Sequence, residues 1–233
     1  MIGNDVVDLR DPDAAPTWRT PAFDARVFSP AERARIAVST DGVRERWLIW
    51  TAKEAAYKLA RKRDDAAAFI PRRFEVMPRP GLRARVLWGA SSFECQWVSE
   101  QSFVHALCFL PSADEPGWVG FERVDAGEVD ASSPEALSRA ARRLAQQEIA
   151  RVLAVPEGAL EIRKSNRIPF LCLQGQRLAG DLSLSHHGAM VAFAWSRERV
   201  RCVPPGPTGS RRVSASTLPS TLQSTLLRQG NPS

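Results

Sequence analysis

Residues 48–63, LIWTAKEAAYKLARKR, place a carboxylate and an ammonium group on one face of a predicted helix. Glu54 and Lys58 are four residues apart, so their side chains are neighbours on that face. A carboxylate can bind a hard cation such as Mg2+, and a lysine beside it can bind a phosphate. The same spacing also occurs in exposed salt bridges, which contribute only about 0.3–0.5 kcal/mol. The spacing alone leaves both interpretations open.

The neighbours of this pair favour a functional interpretation. Trp50, Tyr57 and Arg61 lie beside it, and an apolar stripe faces the other way. The stripe consists of Leu48, Ala52, Ala55, Ala56 and Leu59. Large aromatic side chains on the polar face indicate that this face lines a cleft.

A second candidate is the predicted strand 2–9, which carries Asp5 and Asp8 in the stretch GNDVVDL. Side chains alternate along a strand, so these two residues lie on opposite faces. They can share one ion only if the strand ends or bulges between them. An equally simple interpretation is that both residues cap turns.

A third candidate is the predicted hairpin 181–195, DLSLSHHGAMVAFAW, with His186 and His187 at its turn. An adjacent serine and histidine cannot form the geometry of a catalytic triad, and the sequence has no GxSxG motif. Further metal ligands are not evident. The two histidines therefore either hydrogen-bond an anionic ligand or belong to a plain turn, whereas His105 lies mid-strand and is predicted to be structural.

Together the three stretches resemble the 4′-phosphopantetheinyl transferase superfamily, whose signatures are a G-x-D strand, a W-x-x-K-E-A-x-x-K helix and an S-x-S-H hairpin. The matching positions are Asp5, Trp50, Lys53, Glu54, Ala55, Lys58, Ser183, Ser185 and His186. The stretch RVFSPAE, residues 26–32, is similar to the F-x-x-x-E stretch of the family. The resemblance extends from residue 2 to about residue 196. The motif order is that of the short holo-acyl-carrier-protein synthase type, but the chain is long enough for the two-lobed type.

The resemblance implies transfer of the phosphopantetheine arm of coenzyme A to a serine of a carrier protein. Asp5 and Glu54 would hold Mg2+, and Asp8 is included as a metal ligand because it matches an acid of the short type. Glu54 would act as the general base, and Lys58 would stabilise the leaving phosphate. Val7 stands where long members often carry a second acid, so a water is expected to complete the metal shell.

The implied site for coenzyme A is a set of basic and hydroxyl side chains. Its members are Lys53, Lys58, Arg163, Arg167, Ser185 and His186. The long members carry a G-K-P-like stretch near the adenine, but here the sequence reads Arg167-Ile168-Pro169 and lacks the lysine. Arg163, Lys164 or Arg167 is available to replace it.

Composition and charge argue against other classes of protein. The chain is 44% hydrophobic and 25% charged, which is typical of a soluble globular protein. It has no apolar run near the ~20 residues that span a bilayer and no signal-peptide pattern at its start, so we expect no membrane partner and a cytoplasmic location. The four cysteines form no CxxC pair, which disfavours a zinc site or disulfides.

The net charge of +6 lies mostly at the end of the chain. Six arginines and one glutamate follow Ser196, and together they carry +5 of this charge. A nucleic-acid-binding protein is expected to carry a basic stripe on its folded body. The nearly neutral body therefore argues against a nucleic-acid partner.

Composition breaks divide the chain into a first α+β lobe (1–112), a linker (113–132), a second α+β lobe (133–201) and a disordered tail (202–233). Each lobe is predicted to contain a helix followed by antiparallel strands, so the predicted fold class is α+β. The two similar halves would form a pseudo-dimer with one site between them. We therefore expect the protein to be a monomer.

The predicted function is thus a Mg2+-dependent phosphopantetheinyl transferase, although Mn2+ is not excluded. Its partners would be coenzyme A and an acidic apo carrier protein of fatty-acid, polyketide or nonribosomal-peptide synthesis. The alternative is a non-catalytic relative that binds coenzyme A or a carrier protein. The intact set of Asp5, Glu54 and Lys58 favours the enzyme.

Overall fold

A five-stranded antiparallel sheet forms the first half of the protein. The strands are β1 (Ile2–Asp8), β2 (Phe74–Arg79), β3 (Arg83–Trp88), β4 (Ser91–Ser99) and β5 (Phe103–Phe109). Their spatial order is β1-β5-β4-β3-β2, so β1 and β2 are the two edge strands. The computed structural model describes residues 1–15, 21–111, 118–125, 127 and 129–196.

In the described part of the chain before β2 lie the α-helices α1 (Pro21–Val27), α2 (Pro30–Val38) and α3 (Gly42–Arg63). Ser29 caps α2, because its side chain accepts a hydrogen bond from the Glu32 amide while the Glu32 side chain accepts one from the Ser29 amide. Asp41 caps α3. The long helix therefore begins six residues before the segment from which it was predicted.

The apolar stripe of α3 packs on one face of this sheet. Its alanines and leucine are buried against side chains of the sheet such as Val86 and Cys108. The small side chains allow a close approach, and the tightest point is Gly3 of β1. A Cβ atom on Gly3 would lie 2.0 Å from the carbonyl oxygen of Ala55.

The described residues of the second half form one long helix and six strands. These are β6 (Trp118–Arg123), α4 (Pro134–Leu153), β7 (Leu160–Ser165), β8 (Ile168–Leu173), β9 (Gln176–Arg177), β10 (Asp181–His187) and β11 (Met190–Ser196). They form two three-stranded antiparallel sheets, β10-β11-β6 and β7-β8-β9. The hairpin predicted at 181–195 is formed by β10 and β11.

Strand β11 packs against both halves because its side chains alternate. Val191 and Phe193 are buried with the apolar side of α4. Met190 and Ala192 face the other way and pack against Val6 and against Phe103 of the first sheet. The free faces of β1 and β5 are thus covered by the sheet of the second half.

The predicted α+β class is confirmed, with helices packed on antiparallel sheets, whereas the pseudo-dimer remains an interpretation. The predicted linker (113–132) requires a correction because it contains β6, which pairs with β11 along its whole length. Trp118 stacks on Trp195 of that strand. The predicted disordered tail lies outside the described residues. No described helix is long and apolar enough to cross a membrane.

The close contact between β1 and α3 predicts that Gly3→Ala is strongly destabilising. The added methyl group would overlap the backbone of Ala55, which cannot move without shifting the helix. We expect a loss of at least about 2 kcal/mol in the free energy of unfolding, measured by urea denaturation. Gly158→Ala is the control, because a Cβ at Gly158 meets nothing within 4 Å. Equal stability of the two variants would contradict the packing described.

Candidate active site

Asp5 and Lys58 form an ion pair where β1 crosses α3. The Lys58 ammonium lies 2.8 Å from Asp5 Oδ1 and donates a second hydrogen bond, of 2.9 Å, to the carbonyl oxygen of Asn4. Asp5 lies on the same face of the strand as Gly3, which is the face that packs on α3. The Lys58 side chain keeps 29% of its surface exposed, so it remains accessible to a ligand.

Glu54 lies one helical turn before Lys58 and is half-buried. Burial raises the pKa of its carboxyl group to about 7, and the negative charge of Asp5 adds to this effect while Lys58 opposes it. The structure therefore brings the charged groups of Asp5, Glu54 and Lys58 close to one another.

The donor set suits a divalent cation that shares its coordination with a substrate. Among the residues that the structure describes, no three His, Cys, Asp or Glu side chains converge on one point. Mg2+ is commonly held by one or two carboxylates, with water and substrate phosphates completing six ligands. Asp5 and Glu54 fit that arrangement, and their mutual repulsion would be relieved by a cation.

Asp8 does not join this group, and we correct its assignment as a metal ligand. Both of its oxygens accept hydrogen bonds from the Arg123 guanidinium, at 2.6 and 2.7 Å, and it also accepts the amides of Arg10 and Ala189. Although burial raises its pKa, these hydrogen bonds outweigh burial and lower it. The strand is regular from Ile2 to Asp8, so Asp8 lies on the face opposite Asp5.

Lys53 is also not at the site, although it directly precedes Glu54. Its side chain is fully buried and forms an ion pair of 2.8 Å with Glu32, which is also buried. The ammonium also donates to the carbonyl oxygens of Pro71 and Phe74. Lys53 therefore joins α3 to α2 and β2, and the expectation that it binds coenzyme A is not supported.

The serines of the S-x-S-H motif bind β1. The Asn4 amide donates to Ser183 Oγ, and the Asn4 side chain donates to Ser185 Oγ, each at 3.0 Å. The Asn4 side-chain nitrogen also lies 3.1 Å from His105 Nε2, and burial lowers the pKa of His105 to about 3, which keeps its ring neutral. Ser185 is thus part of a buried contact between the two halves, and His105 is structural, as predicted.

His186 lies at the end of β10 and is half-buried. Burial lowers its pKa, the Lys58 charge lowers it further, and Asp5 opposes both effects. The histidine is therefore within electrostatic range of the Asp5–Lys58 pair and is largely uncharged at neutral pH. It remains the member of the hairpin motif that is available to a ligand.

The two predicted arginines of the β7–β8 hairpin have different surroundings. Arg163 is exposed and forms an ion pair of 2.7 Å with Glu161 of its own strand. Arg167 lies in the turn and lines a depression of about 310 Å3 with Arg61, Asp65 and Asn166. Arg61 follows Lys58 by three residues on α3, so this depression borders the polar side of the helix.

The aromatic residues beside Glu54 are packed rather than open to a cleft. The Tyr57 ring lies 4.9 Å from that of Phe69, and Trp50 meets Phe69 edge-on at 5.8 Å. Phe69 belongs to the segment between α3 and β2, which folds back over this side of the helix. The expectation that Trp50 and Tyr57 line a cleft is therefore not supported.

A helix and an edge strand thus bring two carboxylates and a lysine close together. Residues 1–108 match the family model of the 4′-phosphopantetheinyl transferase superfamily. This segment contains Asp5, Glu54 and Lys58, whereas the S-x-S-H hairpin lies beyond it. The resemblance inferred from the motifs is thereby confirmed for the first half of the chain.

One solved structure similar to this chain is the holo-[acyl-carrier-protein] synthase of Thermotoga maritima. The two share 14% sequence identity over 54% of this chain and 70% of that one, with a TM-score of 0.36. No curated protein matches the sequence.

The raised pKa of Glu54 predicts that this residue lowers the stability of the metal-free protein as the pH increases. The folded state holds the Glu54 proton up to about pH 7, whereas an unfolded glutamate releases it near pH 4.5. Stability is therefore lost as the pH rises through this range. We expect Glu54→Gln to equal the wild type near pH 4 and to exceed it at pH 8 by up to about 3 kcal/mol.

The measurement is urea denaturation in the presence of a chelator, at several pH values between 4 and 8. Glu157→Gln is the control because Glu157 is exposed on the surface. A stability difference between Glu54→Gln and the wild type that does not change with pH would contradict the buried, coupled carboxyl group.

Proposed function

We propose that the protein transfers the 4′-phosphopantetheine group of coenzyme A to a serine of an apo carrier protein and releases adenosine 3′,5′-bisphosphate. The observation that carries this proposal is the convergence of Asp5, Glu54 and Lys58 at the crossing of β1 and α3. The match of residues 1–108 to the superfamily supports it independently.

The carboxylates and the lysine supply complementary charges for this reaction. Attack on a pyrophosphate places additional negative charge on its oxygens. Asp5 and Glu54 would hold a divalent ion, in our proposal Mg2+, which would supply positive charge to offset part of that negative charge. Lys58 is adjacent to Asp5 and contributes a further positive charge, which stabilises the leaving phosphate.

Glu54 is proposed to accept the proton of the carrier serine, directly or through a water. The coupling of Glu54 to both Asp5 and Lys58 places its carboxylate within the same charged group. The proton therefore moves to a residue next to the phosphate that is attacked.

The anionic end of coenzyme A is proposed to bind along the side of α3 that continues from Lys58. Arg61 and Arg167 line the depression there and are both cations. Guanidinium groups bind phosphates through two parallel hydrogen bonds, which suits this role. His186 is proposed to hydrogen-bond the nucleotide, whereas Arg163 remains the weaker candidate because Glu161 already pairs with it.

The carrier protein is proposed to be acidic, and exposed arginines are available to attract it. Arg72 and Arg73 lie on the surface directly before β2. Such charges increase the rate of encounter more than the final affinity. We further propose that one cytoplasmic chain forms a complete site as a monomer, with the two halves related as a pseudo-dimer.

The proposal predicts that the protein adds phosphopantetheine to at least one apo carrier protein when coenzyme A and Mg2+ are present. The measurement is the mass of the intact carrier after incubation. We expect Glu54→Gln to slow the reaction by at least about 100-fold, because a general base contributes that much or more. Glu157→Gln, an identical substitution at an exposed position, should react like the wild type.

Two results would contradict this proposal in different ways. Absence of a mass gain with carriers from all three biosynthetic systems, combined with calorimetric binding of coenzyme A, would indicate the non-catalytic alternative. A full reaction rate in Glu54→Gln would refute the role given to Glu54 and leave the transfer itself supported.

A further inference from the structure

Two lysines one turn apart on α3 bind successive carbonyl oxygens along the open edge of β1. Lys58 donates to the oxygen of Asn4 at 2.9 Å, and Lys62 donates to the oxygen of Ile2 at 2.6 Å. These oxygens point away from β5 and therefore have no partner within the sheet. Both lysines thus complete the hydrogen bonding of an edge strand.

The surroundings of Lys62 differ from those of Lys58. The Lys62 side chain is only 6% exposed, and it forms an ion pair of 2.8 Å with Asp181 of β10. Its third partner is the carbonyl oxygen of Leu182 at 2.8 Å. An ammonium group has three N–H donors, and Lys62 has three acceptors, so it has none left for a substrate.

Asp181 completes the same contact from the second half. One of its oxygens pairs with Lys62, and the other accepts the amide of Ile2 at 2.5 Å. The amide and the carbonyl group of Ile2 are therefore both bound by one half-buried ion pair. At the other end of the strand, Asp8 binds Arg123 and the amide of Ala189. Strand β1 is thus attached to the second half at both ends, and Asp5 lies between them.

We propose that Lys62 and Asp181 are positioning residues for the proposed transfer reaction. They hold β1 between α3 and β10, so that Asp5 keeps its place when Lys58 turns from Asp5 towards a substrate phosphate. The inference rests on the proposed function, because the position of Asp5 relative to Glu54 matters only if both residues bind the same cation. Neither Lys62 nor Asp181 contacts the substrate.

The physical reason is that two different elements carry the proposed ligands. Glu54 belongs to α3 and Asp5 to β1, and hydrogen bonds across the strand edge fix the spacing between the two elements. Lys58 binds Asn4, and in the proposed reaction the contacts of Lys58 must change. Lys62 binds Ile2, and its contacts need not change. Displacements of about 1 Å at a catalytic centre can reduce a rate by about 100-fold.

The test compares two aspartate-to-asparagine variants. Asp181→Asn removes one charge of the Lys62 pair, and Asp24→Asn removes one charge of the Arg46–Asp24 pair, which also has a separation of 2.8 Å. Both aspartate side chains are 18% exposed, so the substitutions are closely matched. The double variant Lys62→Met/Asp181→Asn leaves no unpaired charge. It replaces Asp181→Asn in the same measurements if that single variant does not fold.

Two readouts do not depend on catalysis. Hydrogen–deuterium exchange of the segment containing residues 2–8 should be at least about tenfold faster in Asp181→Asn than in Asp24→Asn, because the Ile2 amide loses a charged acceptor. Calorimetric titration with Mn2+ alone should show an affinity about 10- to 100-fold weaker in Asp181→Asn, the effect expected when a supporting partner of a ligand is lost.

The kinetic readout distinguishes positioning from stability. At a temperature well below both unfolding transitions, Asp181→Asn should have a kcat reduced about 10- to 100-fold and a KM for the carrier close to that of the wild type. Lys62→Arg should retain most of the activity because a guanidinium can bind the same three oxygens. Asp24→Asn should retain wild-type kcat.

The proposal is overturned if Asp181→Asn and Asp24→Asn show the same exchange and the same Mn2+ affinity. It is also overturned if Asp181→Asn is less stable but keeps the wild-type kcat. If the wild-type chain transfers no phosphopantetheine, the proposed function fails. In that case hydrogen–deuterium exchange and Mn2+ affinity alone decide whether Lys62 and Asp181 position Asp5.

Discussion

The structure depends on the need to satisfy the backbone at the two edges of the five-stranded sheet. An edge strand carries amide and carbonyl groups with no partner in the sheet, and these groups are costly when buried. Helix α3 crosses the sheet and meets this need at both edges. Lys53 binds the carbonyl oxygen of Phe74 in β2, and Lys58 and Lys62 bind those of Asn4 and Ile2 in β1.

This constraint explains why neighbouring residues of one motif have different roles. Lys53 and Glu54 are adjacent in sequence, but the helix directs Lys53 into the core, where Glu32 neutralises it. Glu54 remains at the crossing with β1, where Asp5 and Lys58 lie. Likewise, Ser183 and Ser185 hold Asn4, and His186 remains available. In each motif, some residues therefore form contacts between secondary-structure elements, and others remain available to bind a ligand.

Periodicity in the sequence predicted the helix that contains residues 48–63, the strand 2–9 and the hairpin 181–195, because burial on one face imposes a regular spacing. The resemblance to the family predicted that Asp5, Glu54 and Lys58 share one site. Residue spacing alone could not predict this. The burial of Lys53 was not predictable from the sequence. Helix α3 carries three lysines with long flexible side chains, and the sequence does not distinguish the buried one from the other two. The ion pair of Asp8 with Arg123 was not predictable, because Arg123 belongs to β6, which composition had placed in a linker.

The central claim is that Asp5, Glu54 and Lys58 form one site for a divalent cation and a pyrophosphate. A crystal structure with Mn2+ and coenzyme A, solved with anomalous scattering data, tests it most directly. The account predicts an anomalous peak within coordinating distance of Asp5 and Glu54, with a pyrophosphate oxygen as a further ligand and Lys58 moved from Asp5 to phosphate. A peak elsewhere, or a nucleotide bound with Lys58 still paired to Asp5 and no metal beside Glu54, would contradict it.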